Sequence, residues 1–147
     1  YRKFIRELHC CCEAMWIYDN FTARSVIAPG PELRIDEVHL SYPCLCGLLQ
    51  QRIINILHKS YSMRYNDAYK FVYANLHDEN PTIKQIIEGI IRASGRGIPI
   101  LINRNPTINL GGIVQMYCTG ISTGYTMLIP LEILEGLAAD FDEWLSI

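Results

Sequence analysis

The sequence has few charged residues, no long apolar run and only a small net charge. Charged side chains make up 19% of the 147 residues, and the formal net charge is −2. This balance excludes a chain that holds nucleic acid by bulk positive charge, so any contact with a polyanion has to be local. No apolar run approaches the ~20 residues that span a bilayer, so we predict no membrane segment.

The common catalytic and metal-binding motifs are also missing. The four histidines are scattered and form no pair at ligand spacing, so neither a histidine metal site nor a Ser-His-Asp triad has support. No serine lies in a G-x-S-x-G context. Gly95-Arg96-Gly97 lacks both the Walker lysine and the dinucleotide fingerprint. Carboxylates, arginines and cysteines remain as candidate functional side chains.

The six cysteines lack the C-x-x-C spacing of zinc knuckles and redox motifs; they are Cys10, Cys11, Cys12, Cys44, Cys46 and Cys118. A four-sulfur metal site built from two C-x-C pairs is one interpretation. The other, which we favour, is that they are reduced, buried, small apolar residues. Because no secretion signal precedes them, this interpretation also predicts an intracellular protein.

What the sequence does contain is enough apolar material for one folded domain. Hydrophobic residues make up 50% of the chain, which excludes disorder. The first residue is Tyr1 rather than Met, and the last residues, Leu145-Ser146-Ile147, resemble an interrupted element. We therefore expect a fragment of a larger protein.

Apolar periodicity predicts strands at both ends of the chain and helices between them. The predicted helices cover 1–16, about 44–58, 66–76, and a stretch that starts at Asn80-Pro81 and stops at 94–97. The apolar stripe of the 66–76 helix consists of Tyr69, Val72, Tyr73 and Leu76. The predicted strands cover 21–28, a short segment around 33–38, 98–102, 113–118 and 125–129, and one or two helical turns follow at 131–137. This order predicts an α+β fold, in which a barrel assembled from two β parts carries an inserted helical segment at about 44–95.

Asp140 and Asp142 form a D-x-D pair after a turn of small residues. Two carboxylates at this spacing suit Mg²⁺, which takes oxygen ligands. Solvated surface D-x-D pairs are common, however, so the pair alone leaves both interpretations open.

Two arginines lie in or beside predicted strands. Arg104 follows an apolar strand and precedes Asn105-Pro106, so it either holds a ribose hydroxyl or phosphate through its planar donor fork, or is solvated in a structural turn. Arg24 interrupts an apolar strand. An arginine there reaches a ligand, an acid or the solvent on the wet face of an edge strand.

Taken in order, three segments resemble the largest subunit, the bacterial beta-prime type, of multisubunit DNA-dependent RNA polymerases. FTARSVIAPGPEL at 21–33 is similar to F-S-x-R-[ST]-V-I-x-x-x-P-x-L, ILINRNPTI at 100–108 to L-x-N-R-x-P-[ST]-L, and AADFD at 138–142 to N-A-D-F-D-G-D. The resemblance covers roughly 20–144. It implies a double-psi β-barrel over 20–147, with 1–19 as a lead-in segment, from a divergent family member for which a viral or phage source is one option.

The resemblance also implies roles for individual residues. Asp140 and Asp142 would be catalytic and bind the Mg²⁺ that promotes attack of the RNA 3′ hydroxyl on the α-phosphate of a nucleoside triphosphate. Arg104 would contact the sugar of that nucleotide. Arg24 would lie near the nucleic-acid backbone of the DNA template or the RNA product.

The sequence departs from the family pattern at the end of the third motif. The third aspartate is Trp144 here, and the preceding glycine is Glu143. A tryptophan supplies no oxygen ligand to Mg²⁺.

Two interpretations follow from the resemblance, and a third stands apart from it. The first is a piece of a nucleotidyltransferase that needs a second polymerase barrel, on a beta-like subunit or a fused half. Such an enzyme would act in the cytoplasm, and a virus- or phage-encoded one would act in the cytoplasm of the host. The second is a catalytically silent barrel that serves as a binding or structural module. An unrelated α+β binding domain is the third, and it predicts that 21–33, 98–107 and 136–142 lie apart in space.

Overall fold

The computed structural model describes residues 21–104, 112–137 and 144–146, and within them the fold is mixed α+β, as predicted. The strands are β1 (Arg24–Pro29), β2 (Glu37–Ser41), β3 (Ile98–Arg104), β4 (Ile113–Ser122), β5 (Thr126–Ile129) and β6 (Trp144–Ser146). The helices are α1 (Tyr42–Leu48), α2 (Gln50–Ser60), α3 (Tyr65–Ala74), α4 (Pro81–Ala93) and α5 (Leu131–Leu137). The lead-in segment 1–19 and the predicted helix over 1–16 lie outside the described residues.

The strands form a closed barrel in the order β1-β5-β2-β4-β3-β6. Two neighbouring pairs, β1 with β5 and β2 with β4, are parallel. The remaining neighbours, β2 with β5, β3 with β4, and β6 with both β1 and β3, are antiparallel. Each parallel pair joins a strand from before the helical segment to one from after it, so the barrel cannot close until both β parts are present.

Four of the helices, α1 to α4, lie between β2 and β3 in the chain. A continuous core of buried side chains joins them to the barrel; its largest fully buried members include Ile27, Leu40, Ile102, Met116, Met127, Leu45, Ile53, Leu57, Ile83 and Ile87. Within the described ranges, none of the helices has the length and apolar character required to cross a lipid bilayer.

Helix α4 follows its sequence signals closely. The side-chain oxygen of Asn80 accepts a hydrogen bond from the backbone N–H of Thr82 over 3.0 Å, and Pro81 occupies the first turn. This confirms the predicted cap, which satisfies one of the N–H groups that a helix start leaves without a partner. The predicted apolar stripe is buried as well, along Ile83, Ile86, Ile87, Ile90 and Ile91.

Two predicted boundaries were wrong. The helix predicted over 44–58 consists of α1 and α2, separated at Leu49. The short strand expected around 33–38 is instead a turn region in which Glu37 N–H bonds to the Arg34 carbonyl, and β2 starts only at Glu37. Ile35 there is 64% exposed, because the apolar alternation falls on turns rather than on a sheet face.

The apolar stripe predicted over 66–76 is confirmed at Val72 and Leu76 but wrong at two tyrosines. Tyr69 and Tyr73 are 46% and 56% exposed and stack on each other, whereas Ala68 and Val72 are fully buried. The buried face of α3 carries the smaller side chains, because α3 packs closely against α2. Tyrosine is amphipathic, so periodicity alone does not show which face it takes.

Candidate functional site

Two of the segments that resemble polymerase motifs border strand β6, which follows the third segment in the sequence. This strand lies between β1, which carries the first segment, and β3, which carries the second. Ser146 is opposite Arg24 on one side and Asn103 on the other, while Leu145 is opposite Ser25 and Arg104. These positions come from distant parts of the chain. Residues 138–142 lie outside the described residues, so the expectation of the unrelated binding domain, that 21–33, 98–107 and 136–142 lie apart, stays a prediction.

Arg104 is the last residue of β3, which extends two residues beyond the strand predicted over 98–102. Strand β3 runs antiparallel to β6, so Arg104 lies towards the end of the barrel where β6 begins. Leu145, its partner on β6, is three residues beyond Asp142 in the sequence. The backbone topology therefore carries Arg104 to the end of the barrel where β6 begins.

Arg24 is the first residue of β1, and its side chain is exposed. Its neighbour Ser25 is buried, and the Ser25 hydroxyl donates a hydrogen bond to the backbone carbonyl of Tyr125 over 2.9 Å. This bond ties the start of β1 to the turn before β5. Arg24 thus has a fixed backbone position beside β6, and its exposure is consistent with the solvent-facing alternative for an arginine in an apolar strand.

Asp140 and Asp142 lie outside the described residues. The structure describes what flanks them: α5 ends at Leu137, which is buried, and β6 begins at Trp144. Among the residues that the structure describes, histidines, cysteines and carboxylates form no group of three that could hold a metal ion.

The cysteines that the structure describes, Cys44, Cys46 and Cys118, are buried, as we favoured from the sequence. Burial raises the pKa of the Cys46 thiol to about 12 and that of Cys118 to about 11. A thiol has to ionise to act as a nucleophile or metal ligand. Because their raised pKa values keep these thiols neutral, they serve as apolar core residues. Cys10, Cys11 and Cys12 lie outside the described residues.

One cluster on the barrel surface was missed from the sequence. The Arg96 guanidinium forms an ion pair with Asp36 and lies over the ring of Tyr117, 4.3 Å from its centroid. The hydrogen bond from Arg96 holds the pKa of Asp36 below its ordinary value. The only local signal was the pair of glycines around Arg96. Gly97 has a φ of +115°, and a side chain there would press on the Cys118 carbonyl at 2.8 Å.

Comparison with known proteins gives relatives over most of the chain. The chain is 32% identical over 127 residues to the DNA-directed RNA polymerase subunit beta' of Nephroselmis olivacea, over 84% of this chain and 15% of that protein. It is 27% identical over 123 residues to the subunits of the same name from Oryza sativa and Zea mays, over 84% of this chain and 17% of each relative. These relatives support a large-subunit relationship.

No protein-family model matches the chain. The chain spans only 15% and 17% of the lengths of the beta' subunits named above. These relatives give no support to a viral or phage source.

Proposed function

We propose that the chain is the catalytic-loop piece of the largest subunit of a DNA-directed RNA polymerase, and that its barrel is a double-psi β-barrel. The observation that carries this proposal is the position of β6 between β1 and β3, because it brings the first two motif segments to either side of the strand that follows the third. The similarity to beta' subunits over 84% of the chain supports it independently.

The strand connections support the barrel type. Strands β1 and β2 precede the helical segment, and each pairs in parallel with a strand that follows it, β5 and β4 respectively. Two interlocked parallel pairs of this kind, closed by antiparallel neighbours, are what we expect of a double-psi arrangement. On this proposal, 20–147 is one barrel domain with helices inserted between β2 and β3.

We propose that Asp140 and Asp142 hold Mg²⁺. Their carboxylates are the oxygen donors that Mg²⁺ prefers, so the donor chemistry fits with two ligands. When bound, the metal would favour attack of the RNA 3′ hydroxyl on the α-phosphate of a nucleoside triphosphate. Position 144 lies in β6, paired with Val26, and its tryptophan adds no oxygen ligand, so waters or the substrate would complete the coordination.

The two arginines take positioning roles in this proposal. Arg104, at the end of β3, contacts the sugar of the incoming nucleotide through its planar donor fork. Arg24, exposed at the start of β1, contacts the backbone of the DNA template or RNA product.

The proposed activity requires a partner. With 13 lysines and arginines against 15 acidic residues, this chain lacks the positive charge to hold triphosphates and nucleic acid unaided. A second polymerase barrel, on a beta-like subunit or a fused half, supplies basic residues for the nucleotide phosphates. The role also places the protein inside the cell, where transcription occurs.

Manganese binding tests the metal site directly. We would titrate the full chain with Mn²⁺, alone and beside the second barrel, and follow the free-ion signal by electron paramagnetic resonance. Asp140→Ala and Asp142→Ala are each expected to abolish binding, while Asp67→Ala, at an exposed aspartate on α3, should bind like the parent chain. Normal folding without metal affinity, even beside the second barrel, would overturn the catalytic proposal.

Trp144 favours a second candidate function, a catalytically silent barrel that acts as a binding or structural module. A tryptophan replaces a charged ligand with an apolar side chain suited to packing. Trp144→Asp separates the two candidates. If the parent chain binds no Mn²⁺ and Trp144→Asp restores binding, the parent chain is the silent form of this barrel.

A further inference from the structure

An open groove lies between helices α2 and α4 on the side of the molecule formed by the inserted helices. Its volume is about 530 Å³, and it is lined by Arg52, Asn55, Ile56, Lys59, Ser60, Ile86, Gly89, Ile90 and Ala93. The isoleucines form an apolar floor, while the two basic residues, Arg52 and Lys59, are exposed along the α2 edge. We call this the α2–α4 groove.

Gly89 is the most informative residue in the groove. It lies inside α4, where glycine is the least favourable residue apart from proline. A Cβ at this position would meet nothing within 4 Å, so no packing among the described residues requires glycine here. Ala93, one turn later, is also small. The α4 edge is therefore low enough for another backbone to approach closely.

The basic residues Arg52 and Lys59 on the α2 edge indicate that the occupant of the groove is negatively charged. Arg52 and Lys59 are seven residues apart, which places them about 10 Å from each other along α2. Neither forms an ion pair with a described residue, whereas the α4 cations Lys84 and Arg92 pair with Glu79 and Glu88. A segment with carboxylates about two helical turns apart complements this edge.

The backbone around the groove favours a helical occupant over an extended one. The N–H and C=O groups of α2 and α4 are bonded within their own helices, so an extended strand would find no main-chain partners there. A helix satisfies its own backbone and needs only an apolar stripe to cover the isoleucine floor.

We propose that the α2–α4 groove binds an acidic amphipathic helix of another polypeptide chain. Its small apolar side chains lie against Gly89 and Ala93, and its carboxylates face Arg52 and Lys59. This inference does not depend on the metal site or on nucleotide transfer, so either proposal can fail without the other.

Selection from a peptide library tests the proposal. The full chain is the target, and the probe is a library of 16-residue peptides on an alanine-rich helical scaffold, randomised among acidic, basic and apolar residues. We expect enrichment of peptides with net negative charge and apolar residues at i, i+3, i+4 and i+7. Two variants should each weaken binding of the enriched peptides at least tenfold: Gly89→Met, which fills the groove from an exposed position, and Arg52→Glu/Lys59→Glu. Lys70→Glu and Ala74→Met, on the exposed surface of α3, are the matched controls and should leave it unchanged.

The other outcomes overturn the proposal. Enrichment of basic or non-helical peptides would rule out an acidic helix. The same conclusion would follow if no selected peptide lost binding in the groove variants. Self-association of the parent chain that Gly89→Met abolishes, measured by sedimentation, would assign the groove to a second copy instead. Circular dichroism of each variant confirms that the helices are retained, since Gly89→Met adds a good helix former at an open position.

Discussion

Arg104 and Leu145 lie directly opposite each other on antiparallel strands β3 and β6. They are 41 positions apart in the sequence, and Leu145 also pairs with Ser25 on its other side. This register joins the second motif segment to the strand that follows the third. It is the structural relationship on which the proposed site depends.

Disulfide trapping tests this register. Opposed residues on antiparallel strands have Cα atoms about 4.5–5.5 Å apart, which is within the range of a disulfide. Arg104→Cys/Leu145→Cys should therefore crosslink on mild oxidation, and peptide mass spectrometry should identify the pair. Arg104→Cys/Ser146→Cys is the control: side chains at adjacent strand positions point to opposite faces, so this pair should not crosslink. Equal crosslinking of both pairs would contradict the register.

Tyr42→Phe should destabilise the fold through the loss of buried hydrogen bonds. The Tyr42 side chain is 1% exposed, and its hydroxyl donates to the Asn75 carbonyl over 3.0 Å and accepts from Asn80 N–H over 3.3 Å. Removing it leaves a carbonyl and an N–H without these partners, which costs about 1–3 kcal/mol in the free energy of unfolding. Urea denaturation measures the change.

Tyr65→Phe is the matched control for Tyr42. The Tyr65 hydroxyl also forms hydrogen bonds, with the side chain of Gln51, but on an exposed surface where water replaces them. Its change in unfolding free energy should stay within about 0.5 kcal/mol. Equal effects of the two substitutions would show that the Tyr42 bonds do not join α1 to the α3–α4 connection as described.

The Asp36–Arg96 pair should stabilise the fold only above acidic pH. The hydrogen bond from Arg96 holds the pKa of Asp36 below its value of 3.8 in the unfolded chain. The stabilisation is therefore present above pH 3.8 and is lost as the pH falls through the lower folded pKa. Asp36→Asn should lower the melting temperature at pH 7 and have little effect well below pH 3.8, with Asp67→Asn as the control. A difference from the parent chain that is independent of pH would contradict an ionic contribution.

The buried thiols should resist modification in the folded chain. Burial raises the pKa of Cys46 to about 12 and that of Cys118 to about 11, above the ordinary 9.0. Both are therefore neutral and shielded at pH 8, and iodoacetamide should modify them only in denaturant. Because the unfolded thiols ionise first, their contribution to stability is present below pH 9.0 and is lost as the pH rises through the folded values. Modification of Cys46 or Cys118 in the native chain at the denatured rate would contradict their burial.

Much of the fold is readable from local signals. The mixed composition, the Asn80-Pro81 start of α4 and its isoleucine stripe depend on residues close in sequence, so periodicity and capping identified them. The break at Leu49 and the exposed tyrosines of α3 were not readable. They depend on which side of a helix meets its neighbour, and amphipathic tyrosines leave that choice to packing.

The sequence by itself determined the class of the fold, the order of most of its strands and helices and the relationship to polymerase subunits, because composition, periodicity and motif order are local or linear properties. Only the tertiary structure decided that β6 lies between β1 and β3, that Arg96 meets Asp36 and Tyr117, and that the α2–α4 groove stays open. Pairing between distant strands depends on the simultaneous closure of the barrel and burial of the core. Neither barrel closure nor core burial can be read from any single position in the sequence.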